Sequence, residues 1–329
     1  SGMEGTYVNI TGTNLLAYGS SLVSVTLAGV PVSVTHSSAS VVQVRLPAQD
    51  PTVGEARLVS VTDAIVNGSS FEFLSAGEVT AISPSSGQFG TLVTLQGTNL
   101  QGYGTQVNSV LFGDTSVTIV SQNTSHVVVQ LPLLTVGTLN VTLYADTGAI
   151  VRSLVQFDSR ANGQVDSVSP SSGQYGTRVT ITGTSLLGGG VSVARLTLAG
   201  VDVREIVSQT STEIVVVANA SVANVGAVYI QSDTAAVVTS NNTAWTYISA
   251  GVIGALSPSS GQYGTYVNIS GQGLFGGSSG LQSVTFGGVE VHEIVSQTST
   301  LVTVRIAASS AGVVDVVLTG LEGSVVAAE

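Results

Sequence analysis

The sequence predicts an all-β chain of four β-sandwiches in tandem, and three observations predict it. The first is a stretch that returns. Ser169-Pro170-Ser171-Ser172-Gly173-Gln174-Tyr175-Gly176-Thr177 is repeated unchanged at Ser257 to Thr265 and recurs at Ser83 to Thr91 with Phe89 for the tyrosine. A clipped form, Ser1-Gly2-Met3-Glu4-Gly5-Thr6, opens the chain. The shared serine stands at Ser1, Ser86, Ser172 and Ser260, giving spacings of 85, 86 and 88 residues. A fixed period is read before any other signal, and units of this length can bury a core of their own. The second observation is period-two alternation of apolar and small polar residues, as in Arg178-Val179-Thr180-Ile181-Thr182 and Leu139-Asn140-Val141-Thr142-Leu143. Val, Ile and Thr in that pattern mean half-buried antiparallel strands. The third is the absence of cysteine, which leaves stability to sheet packing and removes disulfides, thiolate metal sites and cysteine nucleophiles.

The expected domains are 1–78, 79–164, 165–251 and 252–329. In the third unit the pattern predicts strands near 165–168, 178–182, 192–198, 201–208, 213–217, 226–232 and 242–247. Seven short strands with Gly, Ser and Asn turns between them describe an immunoglobulin-like sandwich. The returning stretch is its first corner: Pro170 cannot donate to a ladder, and Gly173 and Gly176 can take the positive φ of a sharp reversal. The aromatics Phe89, Tyr175 and Tyr263 are expected to cap the sandwich rather than to touch the preceding domain; Glu4 departs from the pattern. Past the corner, each unit runs through a glycine-bearing loop into a strand that ends at a glycine turn. The stretches are Leu15 to Gly19 and Leu27-Ala28-Gly29, Leu100 to Gly104 and Leu111-Phe112-Gly113, Leu186 to Gly190 and Leu196 to Val201, and Leu274 to Gly280 and Thr285 to Gly288.

In these features, Pro, two spaced glycines, Thr, an alternating strand ending in Gly and an apolar residue before a glycine turn, the chain resembles the IPT/TIG family of immunoglobulin-like domains across all four units. The resemblance implies a disulfide-free sandwich used in tandem in receptor ectodomains such as plexins and in large surface proteins, or as a DNA-binding or dimerising domain in Rel-type transcription factors. The Rel use depends on basic loops. Here net charge is −11, charged residues are 8% of the chain, and all eight basic residues are arginines. A chain this acidic is repelled by phosphate, so neither nucleic acid nor an anionic membrane is an expected partner. No apolar run reaches the ~18 residues of a membrane span, so no direct membrane insertion is expected. The extracellular or cell-surface use is the one the residues fit. Linkers are short, Phe73 to Val79 and Tyr247 to Val252, so the sandwiches are expected to form a semi-rigid rod.

The sequence carries few residues in patterns that support chemistry. Gly276-Gly277-Ser278-Ser279-Gly280 matches the hydrolase pattern Gly-x-Ser-x-Gly, which carries meaning only on a strained strand-to-helix turn with an acid and a His at hand; its copies in the other units lack the serine, so it reads as coincidence. The glycine loops cannot be phosphate cradles of Walker type without a lysine. His36 in a turn, His126 opening a strand and His292 beside Glu293 fall at different places in their units and form no shared site. Scattered acids offer no calcium ladder; Glu78, Asp114 and Asp166 could meet an ion only at a junction, and nothing favours it. Trp245 reads as a last-strand core residue. No cofactor and no enzymatic activity are expected.

One motif class remains. Asn-x-Ser/Thr occurs at Asn9, Asn67, Asn123, Asn140, Asn219, Asn241 and Asn268. Asn9, Asn140 and Asn268 alternate with apolar neighbours and should face outward, and Asn9 and Asn268 hold the same place in their units; the bland reading is an ordinary polar strand face. The expected function is therefore a non-catalytic structural or adhesive component of an extracellular assembly or filament, bearing glycans and meeting other copies of itself or neighbouring repeats. The alternative is a receptor ectodomain that binds a protein partner. The first unit has no strand ahead of its corner and the fourth no counterpart of Thr243 to Tyr247; an excerpt from a longer array accounts for this, and a strand donated by a neighbouring chain is the sharper expectation.

Overall fold

The computed structural model describes residues 1–328, and every regular element in them is a strand. Four separate apolar cores form, one per repeat. The chain divides into two compact units, 1–161 with the first two repeats and 162–329 with the last two.

The third repeat shows the plan. One sheet runs Gln164–Ser169, Arg178–Thr184, Glu213–Val217, Glu205–Gln209; the other runs Val201–Asp202, Val193–Leu198, Val228–Ser232, Val237–Thr239. In the first, Val179 pairs with Val216 and Ile181 with Ile214; in the second, Leu196 pairs with Ile230 and Leu198 with Val228. All eight are at most 2% exposed, so the two inner faces interdigitate into one core while Thr180, Thr182 and Tyr229 stay outside it. Each such side chain contributes about 1.5–3 kcal/mol on burial. Trp245 and Tyr247, on a short strand between Ser172–Gly173 and Asn224–Gly226, close the core edge to face at 5.5 Å and 84°. Trp245 is fully buried, as the sequence suggests.

Three local expectations change. The expected strand 201–208 is two strands, because the chain crosses from one sheet to the other between Val201–Asp202 and Glu205–Gln209. The expected strand 226–232 likewise switches sheets between Asn224–Gly226 and Val228–Ser232. His36 lies inside the strand Ser33–Ser37 and not in a turn: its segment is an exposed sheet edge whose alternation is hidden, since all five residues are polar or exposed.

The second repeat differs in closure. Its counterpart of the broken strand is continuous, Thr115–Gln122, and pairs with both Val107–Phe112 and His126–Gln130. Ile150–Ser153 pairs in parallel with Glu78–Ser83, and the sheet becomes a closed barrel. In the first repeat Tyr7–Thr11 pairs with Val41–Arg45 alone, where Arg178–Thr184 has a strand on each side. In the fourth, no described strand lies between Ser260–Gly261 and residues 312–314, and a cavity of about 680 Å³ lined by Leu256, Val267, Phe286, Val291, Ile306 and Val316 stands where the Trp245 strand lies in the third.

Candidate functional site

The returning stretch forms the same turn four times. In Gln174-Tyr175-Gly176-Thr177 the Thr177 N–H donates to the Gln174 carbonyl at 3.2 Å, and Gly176 has φ +86°. The other copies close through Thr6, Thr91 and Thr265, with Gly5, Gly90 and Gly264 at φ +82°, +86° and +85°. A positive φ at the third residue makes a type II turn and requires glycine. The threonine hydroxyl in turn accepts the backbone N–H three residues back, at 3.0–3.2 Å in all four. Thr91 and Thr177 are buried, at 0% and 2% exposure.

The turn places its aromatic on the surface, which corrects the capping expectation. Phe89 is 44% and Tyr263 58% exposed; Tyr175 is half-buried beneath Arg204, whose guanidinium carbon stands 5.2 Å from the ring centre. The second residue of such a turn projects away from the core, and its carbonyl faces outward as well. That carbonyl is the start of a joint.

In the 162–329 unit the partner is a hairpin turn of the fourth repeat. Gly320 donates to the Ser324 carbonyl at 2.8 Å and Gly323, at φ +83°, donates to Gly320 at 2.9 Å, which is a type I turn followed by a left-handed residue. Val325 then donates its N–H to the Tyr175 carbonyl at 3.0 Å, and Arg178 donates to the Glu322 carbonyl at 2.7 Å. A Cβ on Gly176 would come within 2.8 Å of the Gly323 carbonyl, so glycine sits where the two repeats touch. The Gln174 amide completes the joint: Nε2 donates to the Val325 carbonyl at 2.7 Å, and Oε1 accepts the N–H of linker residue Gly251 at 2.6 Å.

The 1–161 unit repeats this joint with different side chains. Ile150 donates to the Glu4 carbonyl at 2.8 Å, and Tyr7 donates to the Thr147 carbonyl at 2.9 Å. Gly5 and Gly148 again face each other, a Cβ on Gly5 falling 2.6 Å from the Gly148 carbonyl. Met3 replaces the glutamine and is buried in the core of the second repeat. Glu4 replaces the aromatic and pairs with Arg152. Nearby, the Asp146 carboxylate accepts the Thr105 hydroxyl and N–H; the Thr105 hydroxyl above all holds it below the ordinary carboxylate range.

Of the seven sequon asparagines, Asn9, Asn67, Asn123, Asn140, Asn241 and Asn268 are exposed and Asn219 is half-buried. Asn9 and Asn268 stand at matching places on the strands Tyr7–Thr11 and Tyr266–Gln272. Asn140 faces outward but lies between the strands Gly137–Leu139 and Val141–Ala145 rather than inside one. The structure brings none of the other flagged residues into a shared site. Asp114 and Asp166 are exposed, and among the described residues no three His, Asp or Glu side chains gather. Ser278 lies in a loop between two strands, its hydroxyl 3.0 Å from that of Ser324 and accepting the Glu322 N–H at 3.3 Å. His126 bonds Ser125 through Nδ1 at 2.9 Å, and the His292 ring lies edge-on to Tyr263 at 5.9 Å. The joint itself, with its buried glutamine, is what sequence reasoning missed; the returning Gln-aromatic-Gly-Thr was the signal.

Known proteins give three kinds of likeness. An 84-residue segment is 32% identical to cyclomaltodextrin glucanotransferase of Geobacillus stearothermophilus, covering 26% of this chain and 11% of that enzyme. The chain thus spans about a tenth of that relative's length. Among solved structures, the Plexin A4 extracellular region aligns over 94% of this chain and 34% of its own, with 15% identity and a TM-score of 0.41. The Bacteroides ovatus mixed-linkage glucan protein SGBP-B, in complex with a heptasaccharide, aligns over 77% and 68% of the two chains with 16% identity and a TM-score of 0.25. The IPT/TIG domain family matches residues 1–73, 78–159, 164–247 and 252–325. Four matches in register span nearly the whole sequence, and the chain belongs to the IPT/TIG family as four tandem domains.

Proposed function

We propose that the chain is a non-catalytic structural or adhesive part of an extracellular or cell-surface protein, in which the repeats act as spacers. The observation that carries this reading is the joint. Two neighbouring sandwiches are fastened by a pair of main-chain hydrogen bonds across facing glycines, and the fastening appears in both compact units with different side chains. A contact built this way fixes the angle between neighbours and forms no cleft for chemistry. The proposal includes glycans at the outward sequons Asn9, Asn140 and Asn268: mean hydropathy is +0.47 with 8% charged residues, a neutral surface that attached sugar would keep dispersed. The test is intact-mass measurement of the chain from its native source. Species heavier than the bare 33.1 kDa chain, with the added mass mapped to those asparagines, are expected; the bare mass alone would remove both the glycans and the extracellular placement.

A further inference from the structure

The outer face of one sheet in the third repeat carries a hollow whose chemistry the other repeats lack. On the strand Val193–Leu198, Leu196 and Leu198 enter the core, so Thr197 between them faces out. Its ladder partners on that face are Asp202 on one side and Tyr229 on the other. Although it points outward, Thr197 is only 4% exposed, and its hydroxyl makes no hydrogen bond to a described residue. A hollow of about 330 Å³ lies over it, lined by Arg195, Thr197, Gly200, Ala227 and Tyr229, within the ~300–1,000 Å³ usual for small-molecule sites. Gly200 leaves one side open, since a Cβ there would meet nothing within 4 Å.

Arg195 reaches along the face to Asp202, its Nε donating to Oδ1 at 2.7 Å and its Nη2 to Oδ2 at 3.4 Å. Both side chains are more than half exposed, so further guanidinium donors and carboxylate lone pairs stay available to a ligand. The bond from Arg195 also holds the Asp202 carboxyl below the ordinary carboxylate range, which keeps it an acceptor. In the other repeats the ladder positions match and the chemistry does not. Arg195 is replaced by Ser24, Ser109 and Ser283, and Tyr229 by Arg57, Thr142 and Val317. The fold is built three more times without this face, so the fold does not require it.

The groups together select a ligand class. An anion is repelled by Asp202 and by a net charge of −11, and a cation finds a single carboxylate that Arg195 already neutralises. A wholly apolar ligand would cover the Thr197 hydroxyl without giving it a partner, which is unfavourable. A neutral ring with an apolar C–H face and hydroxyls around its rim meets every demand. Its C–H face lies against Tyr229, and its hydroxyls bond Thr197 and the Arg195–Asp202 fork. We infer that the third repeat binds a neutral pyranose unit of a glycan in this hollow. The inference goes beyond the spacer reading and does not depend on it, because the hollow belongs to one sheet of one repeat.

The test uses the 329-residue chain produced without glycosylation, so that its own sugars cannot fill the hollow. Saturation-transfer difference NMR is run against the methyl pyranosides of glucose, galactose and mannose and against neutral oligosaccharides of each. Transfer to the ring C–H protons of at least one is expected. Thr197→Val keeps the side-chain shape and removes only the hydroxyl; in titrations it should weaken that binding about tenfold, and Tyr229→Ala should weaken it at least as much. Thr285→Val, at the matching place in the fourth repeat, should leave it unchanged. The inference is overturned if no neutral sugar receives transfer, or if Thr197→Val leaves the binding intact. Transfer to oligogalacturonate alone also overturns it, because the hollow would then be an anion site. None of these results bears on the spacer reading, which the native mass decides.

Discussion

Gln174 shows how a single polar side chain can hold two domains. It is 3% exposed, yet both ends of its amide are satisfied, one by the linker and one by the next repeat. A buried group that loses its partner costs about 1–3 kcal/mol, and Gln174→Ala would strand the Gly251 N–H and the Val325 carbonyl. We expect that variant to lower the stability of the 162–329 unit by about 1–3 kcal/mol in urea unfolding, followed through Trp245, the only tryptophan in the chain. Gln262→Ala, on an exposed corner, should change it by less than about 0.5 kcal/mol. Tyr247 supplies a second residue-level probe. Burial pushes its hydroxyl up to about 12, and the Asn219 backbone approaches it without closing a hydrogen bond. With the folded value above the ordinary tyrosine value near 10, the unfolded chain loses this proton first. Stability is whole below pH 10, falls as pH rises and is lost through about pH 12. Ultraviolet titration should find one tyrosine ionising together with loss of Trp245 burial; if every tyrosine titrates near 10 while the fold persists, the hydroxyl is not buried. The sequence made the corner legible through Pro170 and its glycines. It hid the roles of Gln174 and Tyr175, because a polar residue inside and an aromatic outside invert the usual burial preference, and only turn geometry explains the inversion.

Among the elements, the first strand and the corner strand meet at a bulge in three repeats. The register shifts at Val165/Ser167, at Gln96/Gly97 and at Ile253/Ala255. At each bulge a glycine lies against a carbonyl, and a Cβ on Gly97, Gly183 or Gly271 would fall 2.0 Å from the carbonyl of Glu78, Gln164 or Val252. The first repeat has no described strand there, and a Cβ on Gly12 would meet only the end of the Leu15 side chain, at 2.8 Å. Gly183→Ala should therefore cost about 1–3 kcal/mol through forced backbone shift, and Gly12→Ala less than about 0.5 kcal/mol. Equal losses in chemical denaturation would show that the crowding at the bulge is relieved without cost. Strand existence was legible from alternation, as at Val179 and Ile181. Strand breaks were harder to read: from Val201 to Gln209 the alternation falters at Arg204-Glu205 and at Ile206-Val207, a lapse too short to tell a bulge from a break, and the backbone changes sheets at Val203 and Arg204 because its hydrogen-bond partners lie far along the chain. The three-residue strand Val237–Thr239 and the two-residue strand Ser172–Gly173 are too short to show a period.

At the scale of the whole molecule, the four-fold repetition was legible and so was the family. Four cores close without a cysteine, each from Val, Leu and Ile on facing sheets, with an aromatic pair added in three: Phe71 with Phe73, Phe112 with Phe157, and Trp245 with Tyr247. How neighbouring repeats meet within each compact unit was harder to read, because the contacting groups are main-chain atoms and glycines, which have no sequence pattern apart from the turns that carry them. The charged side chains follow the same economy. Among the described residues only three ion pairs form, and one of them, Arg152 with Glu4, crosses a joint. Surface pairs of this kind contribute little, up to about 1 kcal/mol, so their use at a joint selects a neighbour more than it strengthens the fold.

The joint's reliance on backbone has an evolutionary consequence. Because the paired hydrogen bonds come from main-chain groups and the facing glycines, Met3 can stand for Gln174 and Glu4 for Tyr175 while the seating survives. A gene that duplicates or deletes one whole period by unequal crossing-over creates a new neighbour pair with the fastening already in place, so the number of repeats can drift between lineages faster than the sequence of any one of them.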